Sequence, residues 1–450
     1  MAADIAHFVR DETGLSVYTG STNTRVSNSA RVLCAAALQY LSTTIDLVTG
    51  FSIALNTSTL HGKSYLDVRV RFSLKGALYN FHMMAIPLYQ EHIGENTFAS
   101  LSSFLDALAP EWRQLLVGVS TDGDSSMTGR IRGVATRLEA SVPTTKLVRV
   151  WCALHQLDLV MQRVHKSSLD EEFLSTVASM TGHLRRQSIL VMKIGSTCPL
   201  CIPSMRWWGF VSAVHVLATE ANIVFVKLQR KLTLISQQQG PLANLVATHA
   251  RLTGMEGPVS SNDLKKIDNS RSEVCSAYAL SHACARKFMF ETDSWVKDML
   301  ACATEEDEAQ LPYAEVGKMF VQAADRVSGI VAGLGLSDVE VHVIVQQLSL
   351  LRRAYAYDNI LRLALDTLDD ETTTFDERWG TVGEGYDLVK QFCGDLASTF
   401  PNTATVESDF LVLGWEKDEY RRSITDFSLE DVMHYKQFKA FRELVERLIA

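Results

Sequence analysis

The sequence has no uninterrupted apolar stretch near the ~20 residues that a helix needs to cross a bilayer, so no membrane anchor is expected. Its opening segment, MAADIAHFVRDETG, carries acids and no apolar core, so it is not expected to be a secretory signal. The eight cysteines are scattered without the tight spacing of a disulfide framework, as suits a reducing, nuclear or cytoplasmic compartment. A basic excess is missing too. Lys and Arg number 43 against 52 Asp and Glu, for a net charge of −9, so the surface as a whole cannot grip a phosphate backbone. Gly123 and Gly129 are not followed by a helix start at the spacing of a phosphate-binding loop. No internal repeat is apparent.

At 450 residues, with 47% hydrophobic and 21% charged residues, the chain can bury a large core and hold two or three domains. Apolar spacing predicts a helix over 29–47 and strands near 50–56, 65–73, 78–88, 116–121 and 147–151, in one mixed sheet. In the second strand Leu66, Val68, Val70 and Phe72 face one way, and Tyr65, Asp67, Arg69 and Arg71 the other. Leu101 to Leu116 reads as helix. Beyond Arg206 the strand signal stops, and 206–365 reads as long helices broken near Thr253–Pro258 and 260–271. Residues 329–357 read as a buried helix pair, and 380–450 as helices ending in an amphipathic Phe438–Leu448.

The segment with most chemistry is 117–161. The apolar run Val117-Gly-Val119 leads into Ser-Thr-Asp122-Gly, placing a carboxylate at a strand's carboxyl end, where open α/β sheets carry functional groups. A second run, Val148 to Trp151, leads into Cys152-Ala-Leu-His155 and an amphipathic helix. Strand–Asp–helix followed by strand–Cys-x-x-His–helix is one α/β unit.

This pattern resembles the ribonuclease-H-like domain of hAT-superfamily transposases and of proteins derived from them. Thr121-Asp122 through Met127 is similar to the family's T-D-x-x-x-x-M stretch with its second catalytic acid. Cys152, His155, Leu157 and Leu159 are similar to its C-x-x-H helix, Phe51 to Ser58 to its first strand, and Arg206-Trp207 to its R-W motif. The resemblance implies a ribonuclease-H-like mixed sheet with flanking helices, plus a large all-helical insertion and C-terminal region. The organisation it suggests is a peripheral segment 1–28, an α/β domain 29–230, a helical insertion 231–400 and returning helices 401–450. The zinc finger that often precedes such transposases is not expected, since the first 50 residues hold one Cys and one His.

Transposases of this family need three carboxylates around two divalent metals. Here Asn56 stands where the first acid would lie, and an amide cannot bridge two dications. Asp67 does not stand in for it. No segment like the family's late S-x-E-R-x-F-S is found, and Glu430, Glu443 and Glu446 read as solvated helix positions. Asp122 remains as a retained acid that can equally cap the following helix, with Asp124 as a competitor. No metal or other cofactor is expected, Mg²⁺ entering only if the enzyme were active. Cys152 and His155 with Cys198 and Cys201 have zinc-like spacing, yet the pair at 152 and 155 reads as packing at a strand–helix junction.

Residues 112–169 hold eight bases (Arg113, Arg130, Arg132, Arg137, Lys146, Arg149, Arg163, Lys166) and four acids (Asp122, Asp124, Glu139, Asp158). Arg130, Arg132, Arg137 and Arg149 flank Asp122 and are the expected contacts of a weak, non-specific DNA interaction. The expectation is therefore a transposase-derived, catalytically degenerate nucleic-acid-binding protein, with self-association possible. The alternatives are an active metal-dependent transposase or nuclease, and a protein-interaction scaffold.

Overall fold

A computed structural model describes residues 23–60, 62–90, 93–142, 147–168, 173, 175–179, 205–230, 232–252, 337–369, 372–416 and 425–449. Its centre is one five-stranded sheet of β1 (Phe51–Leu60), β2 (Lys63–Leu74), β3 (Ala77–Leu88), β4 (Leu116–Thr121) and β5 (Val148–Trp151). The order is β3-β2-β1-β4-β5. The first three strands form an antiparallel meander, while β4 runs parallel to β1, and β5 parallel to β4. The turn from β2 to β3 is Lys75-Gly76, both with positive φ (49° and 75°), a two-residue hairpin whose twist matches its strands.

Helices cover both faces. On one side α1 (Asn23–Ile45), α2 (Gly94–Leu108), the short α3 (Trp112–Leu115), α4 (Ser125–Thr128) and α5 (Val134–Ser141) surround the sheet. Leu41, Ile45, Leu101, Leu105, Trp112 and Leu138 there meet Ile53, Leu55, Val68, Val70 and Phe72 in the largest core cluster. Each fully buried aliphatic or aromatic side chain contributes roughly 1.5–3 kcal/mol, so this layer sets much of the stability. After β5 come α6 (Ala153–Ser168), α7 (Met205–Leu228), a 3-10 turn at Ile235–Gln238 and α8 (Gln239–Leu252).

Late helices close the other face: α9 (Asp338–Tyr357), α10 (Asn359–Asp366), α11 (Phe375–Val382), α12 (Asp387–Ala397), α13 (Ala404–Glu416) and α14 (Asp426–Ile449). Val389, Phe392 and Leu396 of α12 join Val117, and Val406 and Phe410 of α13 pack on Ala54. The long α14 crosses from Leu429 and Met433, packed on Tyr65 and Ala85, to Phe441 and Leu444 in the first core. Phe441 stacks on Phe81 with ring centroids 4.2 Å apart.

The five expected strands lie where the apolar runs put them, lengthened by a few residues at some ends. Other expectations need correction. The helix expected over 101–116 is split: α2 ends at Leu108, where Ala109 precedes Pro110 and leaves the helical conformation, and the short α3 follows before β4. The described part of the expected buried helix pair is the single helix α9, in which only Ile344 is fully buried. Residues 329–336 and the 253–271 break lie outside the described residues. Both faces of β2 are buried, including Asp67, Arg69 and Arg71. Glu430 is no solvated position: it is 5% exposed, against the sheet, whereas Glu443 and Glu446 are exposed. None of the helices is long and apolar enough to cross a membrane, among the described residues.

Candidate functional site

Parallel pairing of β1 with β4 sets Leu55 beside Thr121, so Asn56 and Asp122 follow at neighbouring strand ends. β5 continues the rim: the amide of Cys152 donates to the carbonyl of Thr121 at 3.0 Å. The chain then turns directly into α6, which holds His155 in its first turn. From the opposite side α13 lies over β1 and β2, and its first turn carries Glu407. Asn56, Asp122, Cys152, His155 and Glu407 thus share one rim of the sheet.

The sequence reading passed over Glu407. A signal was present: Thr405-Val-Glu407-Ser-Asp-Phe410 keeps the glutamate and the phenylalanine of S-x-E-R-x-F-S at their spacing, but loses the arginine and both serines. Burial makes sense of the local sequence. Val406 and Phe410 anchor α13 on Ala54, which leaves Glu407 pointing along the rim, where Thr403 donates to its Oε1 at 3.2 Å.

The electrostatics of the rim are those of two acids around an imidazole. Glu407 Oε1 lies 3.5 Å from His155 Nδ1. The Cys152 side chain, with lesser help from Glu407 and Asp122, raises His155 to about 9. Burial raises the carboxyl of Asp122, and burial together with the Asp122 charge raises that of Glu407; His155 opposes both. Asp124, not Asp122, occupies the start of α4, where Ser126 donates to it at 2.7 Å. Asp122 accepts the amide of Asp124 at 3.3 Å and is half-buried.

Asn56 is 7% exposed, and its Oδ1 accepts the amide of Thr57 at 2.7 Å. Its cross-strand neighbour on β2 is Asp67, directly opposite. Asp67 does not serve the rim, because it is wholly buried and turned toward His82. A pair of hard dications does not fit this set: the position between β1 and β4 offers a neutral amide already bonded to the backbone, which leaves two carboxylates for four positive charges. Cys152, His155 and Glu407 have donor atoms within 4.8 Å of one another, a softer set of the kind that holds zinc. Cys198 and Cys201 lie outside the described residues.

The four arginines are not equivalent. Arg130 and Arg132 are exposed on the turn between α4 and α5, either side of Ile131, itself 85% exposed. Arg137 instead reaches Glu95 at 3.2 Å, and Arg149 reaches Glu139 and the carbonyl of Thr128 at 3.3 and 3.4 Å with little side-chain exposure. Those two are paired with acids of the fold. Arg206 and Trp207 open α7, and their side chains lie outside the described residues.

Fold and rim define a mixed α/β protein with polar and titratable groups at the carboxyl ends of its parallel strands. No model of a known family matches the chain, and no curated protein matches it in sequence.

Proposed function

We propose that the chain is a ribonuclease-H-like, transposase-derived protein that has lost strand cleavage and retains weak nucleic-acid binding. The observation that carries this reading is the placement of Asn56 beside Asp122 at the paired ends of β1 and β4, with Glu407 brought over them by α13. Strand order β3-β2-β1-β4-β5, with β2 running against the other four strands, fits the mixed sheet that the resemblance implies. An acid, an amide and a second acid form the outline of a three-carboxylate site with one charge removed. Restoring that charge by Asn56→Asp is expected to tighten Mn²⁺ binding at the rim in calorimetry.

Binding falls to the rim's cations. Arg130 and Arg132 stand on an exposed turn a few residues from Asp122. Acidic surface elsewhere keeps affinity modest, in the micromolar range of non-specific contacts. The test is fluorescence anisotropy with a labelled duplex. Two to three phosphate contacts predict a loss of about tenfold or more between roughly 50 and 200 mM salt. The double substitution Arg130→Glu, Arg132→Glu should abolish binding in a protein with an unchanged circular dichroism spectrum. Binding indifferent to both substitutions would remove the rim as the contact surface. No binding at the lowest salt would favour a protein-interaction scaffold.

A further inference from the structure

A second cluster of titratable groups lies on the same face of the sheet, sealed from solvent. A one-residue register shift between β2 and β3 sets His82, rather than Met83, opposite Arg69 and beside Asp67. Nε2 of His82 meets Glu430 Oε1 of α14 at 2.7 Å, and Glu430 Oε2 accepts the amide of Ala85 at 2.9 Å. Nδ1 of His82 faces Asp67 Oδ1 at 2.9 Å and Asp409 Oδ2 of α13 at 3.5 Å. Neither that nitrogen nor either Asp67 oxygen makes an aligned hydrogen bond, and Asp67 is 0% exposed. His82 is thus the close partner of a carboxylate that has forfeited its hydration, a costly arrangement in a sealed site.

Charge counting sharpens the point. Three carboxylates, Asp67, Asp409 and Glu430, face one fixed cation, Arg69, which pairs with Asp409. Neighbouring groups do not make up the difference. Arg71, on the same face of β2, keeps its charge while donating to the carbonyls of Thr233 and Leu232, and Gln437 donates to Nδ1 of His434, whose Nε2 lies 3.1 Å from Glu430 Oε1. Cys34 of α1 is pushed up to about 12 by burial, helped by Glu430 and Asp431, and stays a neutral thiol. Asp431 adds a fourth buried acid, which offsets Arg71 and leaves the count two positive charges short. Neutrality requires two more positive charges: two protons, on His82 and Asp67, or one dication.

We propose that Asp67, His82 and Asp409 form a buried binding site for a divalent transition-metal ion, with Glu430 holding His82 in the tautomer that turns Nδ1 to the metal. Their donor atoms lie within 4.8 Å of one another. Ligands at zinc distances and tetrahedral angles stand about 3.4 Å apart, between the two separations His82 Nδ1 makes with Asp67 and Asp409. Imidazole with two carboxylates suits Zn²⁺ or Co²⁺. A carboxylate on the far nitrogen of a ligating histidine is the usual outer support, supplied here by Glu430, and Arg69 supports Asp409 in the same way. The ion would tie β2, β3 and α13 together, and its uptake would release the two protons it replaces.

The experiment uses the full chain, stripped by chelator and titrated with ZnCl₂ and, separately, CoCl₂. The expected result is one ion per chain by elemental analysis, a ligand-field absorption for cobalt, a raised melting temperature, and close to two protons released per zinc near pH 6, read by calorimetry in buffers of different ionisation enthalpy. Asp67→Asn, an isosteric change that removes a buried acid, should abolish uptake with the fold retained, and His82→Gln should do the same. Glu443→Gln, at an exposed position of α14, should leave uptake unchanged. Failure of the wild type to take up either ion, or uptake retained in Asp67→Asn, would overturn the proposal. If His82→Gln does not fold, Asp67→Asn decides alone.

Discussion

Two groups of charges share one face of the sheet and differ in almost everything else. The rim, with Asn56, Asp122, His155 and Glu407, is only partly covered and sits at strand ends. The seam, with Asp67, Arg69, His82, Asp409 and Glu430, is sealed beneath α13 and α14. A single helix feeds both: Glu407 points to the rim, and Asp409, two residues on, to the seam. Their lesson is that position in the sheet decides what a carboxylate is for. At the strand ends a charge stays available to a ligand. In mid-strand it must be matched inside the protein, and its removal is felt as stability.

The largest effect should come from breaking the seam. Glu430→Ala leaves His82 and the amide of Ala85 without their acceptor in a closed site, so denaturant unfolding should show a loss of about 3–5 kcal/mol. A loss below about 1 kcal/mol would mean the seam is wetter than its burial implies.

A pH experiment comes next. Asp395 of α12 is held by Thr49 and Gln391, and burial pushes it up to about 7. In the unfolded chain its value is about 3.9. A raised folded value means the folded state holds the proton more tightly. The stability this contributes is whole below about pH 4 and is lost as pH rises toward 7. Relative to Asp395→Asn, the wild type should therefore lose up to about 4 kcal/mol across that window, at 1.36 kcal/mol per unit. A difference that is flat with pH would refute the assignment.

The strands, their order along the chain and Asp122 were legible in the sequence because apolar runs and a strand-end acid are local signals. The seam was not. In β2 the alternation of Tyr65, Asp67, Arg69 and Arg71 with apolar residues is local, but what covers that polar side arrives more than 300 residues later, in α13 and α14. Glu430 looked solvated for the same reason: its partner His82 is 348 positions away. Glu407 was missed because only two residues of a longer pattern survive around it, and the evidence for its place is spatial, its approach to His155.

The rim should respond less. Burial already disfavours the charges of Asp122 and Glu407, so Glu407→Gln is expected to change stability by no more than about 0.5 kcal/mol. Asp409→Asn, on the same helix, should cost several times more by leaving Arg69 without its buried partner. Equal effects from the two substitutions would erase the distinction between rim and seam.

The central claim, that the amide at Asn56 leaves the rim unable to cut, is tested most directly by incubating the purified chain with supercoiled plasmid and Mg²⁺ or Mn²⁺. The account predicts no nicking above the level of the Asp122→Ala variant. Nicking by the wild type that disappears in both Asp122→Ala and Glu407→Gln would contradict it.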